Sequence, residues 1–154
     1  EDIERVAGAL RGALADTDWA VRKSAVKALG KCVSSHQETL PAVLGMVCDS
    51  DWRVRKAALE VIPSAYRQGL EEELRAAVMS RLEDAEVGGN VRVYDERSRC
   101  DSDVRTAATL CLVGLAGHRQ GWVVSALEEV MGCDGTQGAV RERVEEALRT
   151  CREE

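Results

Sequence analysis

The sequence predicts an all-α fold, an α–α superhelix of about four stacked helical hairpins. Three observations carry this. The stretch Asp16-Thr-Asp-Trp-Ala-Val-Arg-Lys-Ser-Ala25 recurs as Asp49-Ser-Asp-Trp-Arg-Val-Arg-Lys-Ala-Ala58, with echoes at Asp101-Ser-Asp-Val-Arg-Thr-Ala-Ala108 and Ala139-Val-Arg141. Self-similarity at a period of roughly 20–50 residues marks a solenoid. Aromatic residues make up only 3% of the chain, with no Phe, and alanine is abundant, which favours closely packed helices over sheets. Between the copies lie further stretches with apolar residues at helical spacing, so each repeat reads as two helices, A then B.

The Val-Arg pairs at Val21-Arg22, Val54-Arg55, Val104-Arg105 and Val140-Arg141 serve as a ruler, with intervals of 33, 50 and 36 residues. They divide a single domain, residues 1–154, into repeats at about 3–35, 36–69, 70–117 and 118–152. The third carries an inserted loop over 85–100.

Helix A1 is expected near Ile3–Ala15, where Ile3, Val6, Ala7, Leu10 and Leu14 form one apolar stripe. Asp16 and Asp18 break the pattern, and Asp18 is placed to cap B1 by accepting from its free N–H groups. B1 runs from Trp19 to about Ser34 and buries Val21, Ala25, Val26, Leu29 and Val33. A2 spans about Glu38–Cys48, with Pro41 in the first turn, where a missing N–H costs little. B2 runs from Trp52 to about Gln68, and Pro63 is expected to kink it or end its regular bonding.

A3 covers about Leu70–Glu83, with Glu71, Glu72 and Glu73 at the end where the helix dipole favours carboxylates. The insert that follows is polar. Gly88-Gly89-Asn90 is turn chemistry, and Val91-Arg92-Val93-Tyr94 alternates like a short strand. B3, about Ser102–Ala116, is apolar nearly all round, as an interior helix must be. A4 is expected near Trp122–Met131. B4, Ala139–Arg152, has a narrow apolar stripe and a back of Arg and Glu, which suits the end of a stack.

Residues and spacing here resemble the HEAT-repeat family of armadillo-like α-solenoids. Asp16/Val21/Arg22 and Asp49/Val54/Arg55 match its turn and B-helix pattern, and Thr39-Leu-Pro-Ala-Val-Leu44 is similar to its helix-A signature. The third copy lacks the Trp-x spacer before Val104, and the fourth replaces Asp-x-Asp with Cys133-Asp-Gly-Thr-Gln-Gly138. The resemblance implies a structural ladder between repeats built from Asp16, Arg22, Asp49, Arg55, Arg105 and Arg141. Arginine suits that place because its planar fork donates to turn carbonyls and a carboxylate at once.

Family relatives that hold two irons do so with His-Glu pairs, as deoxyhypusine hydroxylases do, whereas here Gln37 follows His36 and Arg119 follows His118. No phosphate loop, nucleophile elbow or H-E-x-x-H is present. No catalytic residue, metal or cofactor is expected, and the chain reads as a non-catalytic protein-binding scaffold or adaptor. Two alternatives stay open. One is an enzyme or cofactor binder on the same fold, similar to bilin lyases. The other is a tubulin-binding module, since Trp19-Ala-Val-Arg22 resembles the contact turn of TOG domains.

Two stretches are candidates for partner binding. B1 carries Arg22, Lys23, Lys27 and Lys31 without an acid, and B2 carries Arg53, Arg55, Lys56 and Arg67 against Glu60. Lys23, Lys27, Lys31, Arg53 and Lys56 would form a basic stripe for an acidic partner segment. In the insert, Arg92, Tyr94, Arg97 and Arg99 join charge to an aromatic anchor, a mixture common at interfaces.

The net charge of −6 argues against nucleic acid as the partner. No apolar run reaches the about 18 residues that a membrane span needs. Six cysteines without a CxxC pair read as reduced thiols, which suits an intracellular, cytoplasmic setting, and disulfide pairing is the alternative that the even count leaves open. The chain begins at Glu1, so it reads as a fragment or processed form, belonging to a larger complex.

Overall fold

The structure is a computed structural model that describes residues 2–32, 39–66, 70–83, 96–118, 121–132 and 138–152. Every regular element among them is helical: α1 (Asp2–Ala13), α2 (Trp19–Cys32), α3 (Thr39–Gly45), α4 (Trp52–Ala65), α5 (Glu71–Glu83), α6 (Glu96–Ala116), α7 (Gly121–Gly132) and α8 (Ala139–Arg152). A 3-10 turn, Met46–Cys48, closes α3 and brings the chain to Asp49. Odd-numbered helices are the A helices and even-numbered ones the B helices of four hairpins.

The B helices form a continuous layer in which α2 packs on α4, α4 on α6 and α6 on α8, while the A helices touch one another only sparsely. The core runs between the layers through Val26, Leu29, Val43, Val54, Leu59, Ile62, Leu74, Val78, Leu112, Leu115 and Leu127. At about 25 cal/mol per Å2 of apolar surface removed from water, such side chains supply most of the drive for stacking. Helix α6 contacts α4, α5, α7 and α8. Its buried residues, Val104, Ala107, Ala108, Cys111, Leu112, Leu115 and Ala116, span more than one face. In α8 only Val144 and Leu148 are buried.

Two departures from the sequence expectation have local causes. Helix α6 starts at Glu96, so residues 96–100 of the expected loop are helical. Glu-Arg-Ser-Arg-Cys contains no Gly or Pro to stop a helix. Because the Trp-x spacer is missing, Asp101 and Asp103 fall inside α6 instead of capping it. Helix α4 continues two residues beyond Pro63 before Tyr66 takes an extended conformation. The N–H that Pro63 lacks would have served only the last turns. Residues 84–95, with the strand-like stretch at Val91–Tyr94, lie outside the described residues.

The layer of B helices is close enough to require glycine. A Cβ at Gly30 of α2 would lie 2.6 Å from a methyl of Val61 in α4, and one at Gly114 of α6 would lie 2.8 Å from Cβ of Pro63. Neither neighbour can swing away, since one is β-branched and the other a ring. Gly114→Ala is therefore expected to lose about 1–3 kcal/mol by overpacking, although alanine is the better helix former. Gly8, in α1, faces open space, and Gly8→Ala should gain about 0.5–1 kcal/mol. Urea denaturation of the two variants should show opposite signs.

Candidate functional site

The edge where A helices turn into B helices holds the densest polar network. In the first turn, Asp16 Oδ1 accepts from Asp18 N–H at 2.8 Å and Asp18 Oδ1 accepts from Ala20 N–H at 2.8 Å. The second turn repeats both bonds, with Asp49 Oδ1 accepting from Asp51 N–H and Asp51 Oδ1 from Arg53 N–H, each at 2.8 Å. The short acidic side chains satisfy donors that a helix start leaves unpaired, which is why Asp-x-Asp recurs before α2 and α4.

Arg22 joins the two turns. Its Nη1 donates to the carbonyls of Asp16 and Thr17 at 2.8 and 3.1 Å. Its Nε and Nη2 grip the Asp49 carboxylate at 2.8 and 2.9 Å. Arg55 repeats the first half, its Nη1 donating to the carbonyls of Asp49 and Ser50 at 2.8 and 3.1 Å.

The Arg22 and Asp49 side chains are 13% and 7% exposed, so the pair is shielded from solvent. Burial alone would push the Asp49 carboxyl up. The Arg22 hydrogen bonds, the Asp51 N–H and the charges of Arg22 and Arg55 outweigh it and hold the carboxyl below its ordinary value. Arg22 is shifted upward, chiefly by its hydrogen bonds to Asp49.

Arg105 lies on α6, half-buried, and its carbonyl accepts from the Thr109 hydroxyl at 3.1 Å. Arg141 pairs with Glu145 of its own helix at 3.2 Å, both half-exposed, and with no neighbouring repeat among the described residues. The fourth copy has no Asp-x-Asp turn for Arg141 to hold.

Beside the network lies a cation–aromatic stack. The Arg53 guanidinium is 4.3 Å from the Trp19 ring centroid and 5.3 Å from that of Trp52, and Lys23 Nζ is 5.7 Å from Trp19. Arg53 Nη1 also reaches Asp51 Oδ2 at 3.4 Å. Trp19 thereby packs across the boundary between repeats and keeps 36% of its surface exposed.

Trp19, Lys23, Lys27 and Lys31 follow one another at four-residue steps along α2, with Lys27 and Lys31 exposed. Lys56 is half-buried and lines, with Glu60, Pro63 and Leu110, a cleft of about 300 Å3 between α4 and α6. Arg67, Arg92 and Tyr94 lie outside the described residues. Arg97 and Arg99 belong to the first turns of α6.

A larger cleft, about 480 Å3, opens among α6, α7 and α8, lined by Val113, Val124, Arg143, Glu146, Ala147 and Cys151. Nothing in the sequence pattern marks it, because its walls come from three helices in two repeats. Among the described residues Cys48, Cys111 and Cys151 are free thiols. Burial pushes the Cys111 thiol far up, so it packs as a small hydrophobe. His118 stacks edge-on against Tyr66, with ring centroids 4.7 Å apart. No described helix is long and apolar enough to cross a membrane.

A family profile for HEAT repeats matches residues 6–89, more than half of the chain. The chain belongs to the HEAT-repeat family. The match covers the two turns joined by Arg22 and ends ahead of α6, where the HEAT turn pattern itself becomes irregular. No curated protein matches this HEAT chain. HEAT repeats generally mediate protein–protein interaction, and the family is typically non-enzymatic.

Proposed function

We propose that the chain is a non-catalytic scaffold of the cytoplasm that binds an acidic segment of a protein partner along α2 and α4. One observation carries this reading. Arg22 and Arg53 are engaged within the fold, by the Asp49 carboxylate and by two indole rings, while Lys27 and Lys31 project from α2 into solvent. A helix with four basic residues and no acid thus keeps an unbalanced positive stripe after its structural needs are met.

The B layer also packs more tightly than the A layer, which curves a stack toward its B side. A curved B side would lay the stripe along the inside of the superhelix, where an extended segment finds the most surface. Arg92, Tyr94, Arg97 and Arg99, from the insert of the third repeat, are proposed as a second contact region for the same partner.

The test is charge reversal at Lys27→Glu with Lys31→Glu. Two reversed exposed contacts cost about 2 kcal/mol of binding, or roughly thirty-fold in Kd. Thermal melting should be unaltered, because neither side chain has a structural partner among the described residues. Affinity purification from cells should lose the partners that the wild-type chain recovers. Recovery of the same set at the same level by the variant would sink the acidic-partner reading.

A further inference from the structure

Along the B layer the stack loosens toward its fourth repeat. Helices α4 and α6 meet so closely that a Cβ at Gly114 would lie 2.8 Å from Pro63, whereas α6 packs less extensively on α8 than on α4. The fourth copy has no Asp-x-Asp turn, and Arg141 pairs with Glu145 of its own helix. No arginine fork among the described residues therefore draws α8 against the third repeat. The Cys151 thiol donates to the Ala116 carbonyl at 3.9 Å and ties the ends of α6 and α8 together. Beside that tie lies the cleft of about 480 Å3. Small residues keep it open, and a Cβ at Gly117 would meet no atom within 4 Å.

The wall of the cleft is apolar and its rim is charged. Val113, Val124 and Ala147, all half-buried, make the wall. Arg143 and Glu146 stand exposed on the rim, and neither side chain has an ion-pair or hydrogen-bond partner among the described residues. On the same helix Arg141 and Arg152 are paired, with Glu145 and Glu128. Arg143 and Glu146 lie three residues apart, with Cβ atoms about 5–6 Å from each other, but a cation ahead of an acid is the less favourable order on a helix. Each charge is thus left for a ligand, next to an apolar hollow. Glu145, Arg149 and Arg152 lie about 180° round α8 and border a separate surface. The cleft accordingly faces the preceding repeat, away from the side of α8 on which further helices would stack.

From these features we infer that the α6–α8 cleft binds a small amphipathic zwitterion, an α-amino acid with a large apolar side chain. Its carboxylate takes the planar fork of Arg143, its ammonium meets Glu146, and its side chain lies against Val113, Val124 and Ala147. Both charges of such a ligand sit on one carbon, which suits two opposite charges one helical turn apart. A simple anion is repelled by Glu146 and a simple cation by Arg143. The volume falls in the range of small-molecule sites, about 300–1,000 Å3.

The test is titration of the isotope-labelled chain with L-phenylalanine, L-tryptophan and L-leucine, read by amide NMR. For ligands of this size a Kd of about 0.1–1 mM is expected, with shifts centred on Val113, Val124 and Ala147. N-acetyl-L-phenylalanine lacks the ammonium and L-phenylalanine amide lacks the carboxylate, so each should bind about threefold to tenfold more weakly. Arg143→Gln should erase the advantage of phenylalanine over its amide, and Glu146→Gln its advantage over the N-acetyl derivative. Both rim residues are exposed, so neither variant should move the melting temperature by more than about 1 °C. Ala147→Leu fills the hollow and should abolish the shifts.

The inference is overturned if none of the three amino acids shifts the cleft residues at about 10 mM, well above the expected Kd. Equal affinity for phenylalanine, its amide and its N-acetyl derivative overturns it too, as does binding that Ala147→Leu leaves intact.

Discussion

Leu112→Ala is expected to lower the unfolding free energy by about 3–5 kcal/mol, at the upper end of what removing a buried leucine costs. Leu112 has no solvent-exposed surface. Its helix touches α4, α5, α7 and α8, so the walls of the resulting cavity belong to several elements and cannot all collapse inward. In a stack whose stability is a sum of repeat and nearest-neighbour terms, α6 carries the coupling between the first two hairpins and the last. Unfolding by urea should therefore become less cooperative as well as easier. Helical circular dichroism and tryptophan fluorescence should coincide in the wild type and separate in the variant. Leu148→Ala, in the terminal helix and 7% exposed, should cost about 2–3 kcal/mol and leave the two probes coincident. A Leu112→Ala loss below that of Leu148→Ala would remove α6 from its central place.

The fold was legible because a solenoid writes its architecture several times over. Val21-Arg22 and Val54-Arg55 gave the period, and the apolar spacing between them gave the A helices. Element ends were less legible where a copy departs from the pattern. Asp101-Ser-Asp103 looks like Asp49-Ser-Asp51, but without the Trp-x spacer the pair falls within α6. Interactions across repeats were legible only in part. Arginine at the start of a B helix implies a partner, but only three-dimensional stacking brings Arg53 over Trp19, 34 residues earlier in the chain. The contrast between Val21, 39% exposed, and Val54, fully buried, was invisible for the same reason. The two valines occupy closely similar sequence contexts, and what differs is whether another of the described repeats lies in front of them. The cleft lined by Val113, Arg143 and Cys151 belongs to the same class, as a property of three surfaces at once.

Asp49→Ala is expected to cost about 2–3 kcal/mol at pH 7, the range for losing charge-assisted hydrogen bonds at a shielded site. The substitution removes both acceptors of the Arg22 fork and the acceptor for Asp51 N–H. It leaves an arginine 13% exposed with only the Asp16 and Thr17 carbonyls to hold it. The pH dependence follows from the direction of the carboxyl's shift. Burial would raise its pKa, but Arg22, the Asp51 N–H and Arg55 bring it below the ordinary value. A depressed carboxyl contributes stability that is fully present above its unfolded pKa of about 3.9 and is lost as pH falls through the folded value. The stability gap between wild type and Asp49→Ala should thus be constant from neutral pH to about pH 5 and narrow below about pH 4. Asp16→Ala offers the internal comparison, because its carboxylate has the same turn bond but no arginine among the described residues. It should cost about 0.5–1 kcal/mol, the value of a solvent-facing turn bond. Urea titrations at pH 7, 5, 4 and 3 measure all three proteins. Equal losses for Asp16→Ala and Asp49→Ala would mean that the Arg22–Asp49 pair adds nothing beyond its turn, and the joining of repeats would then rest on the apolar core alone.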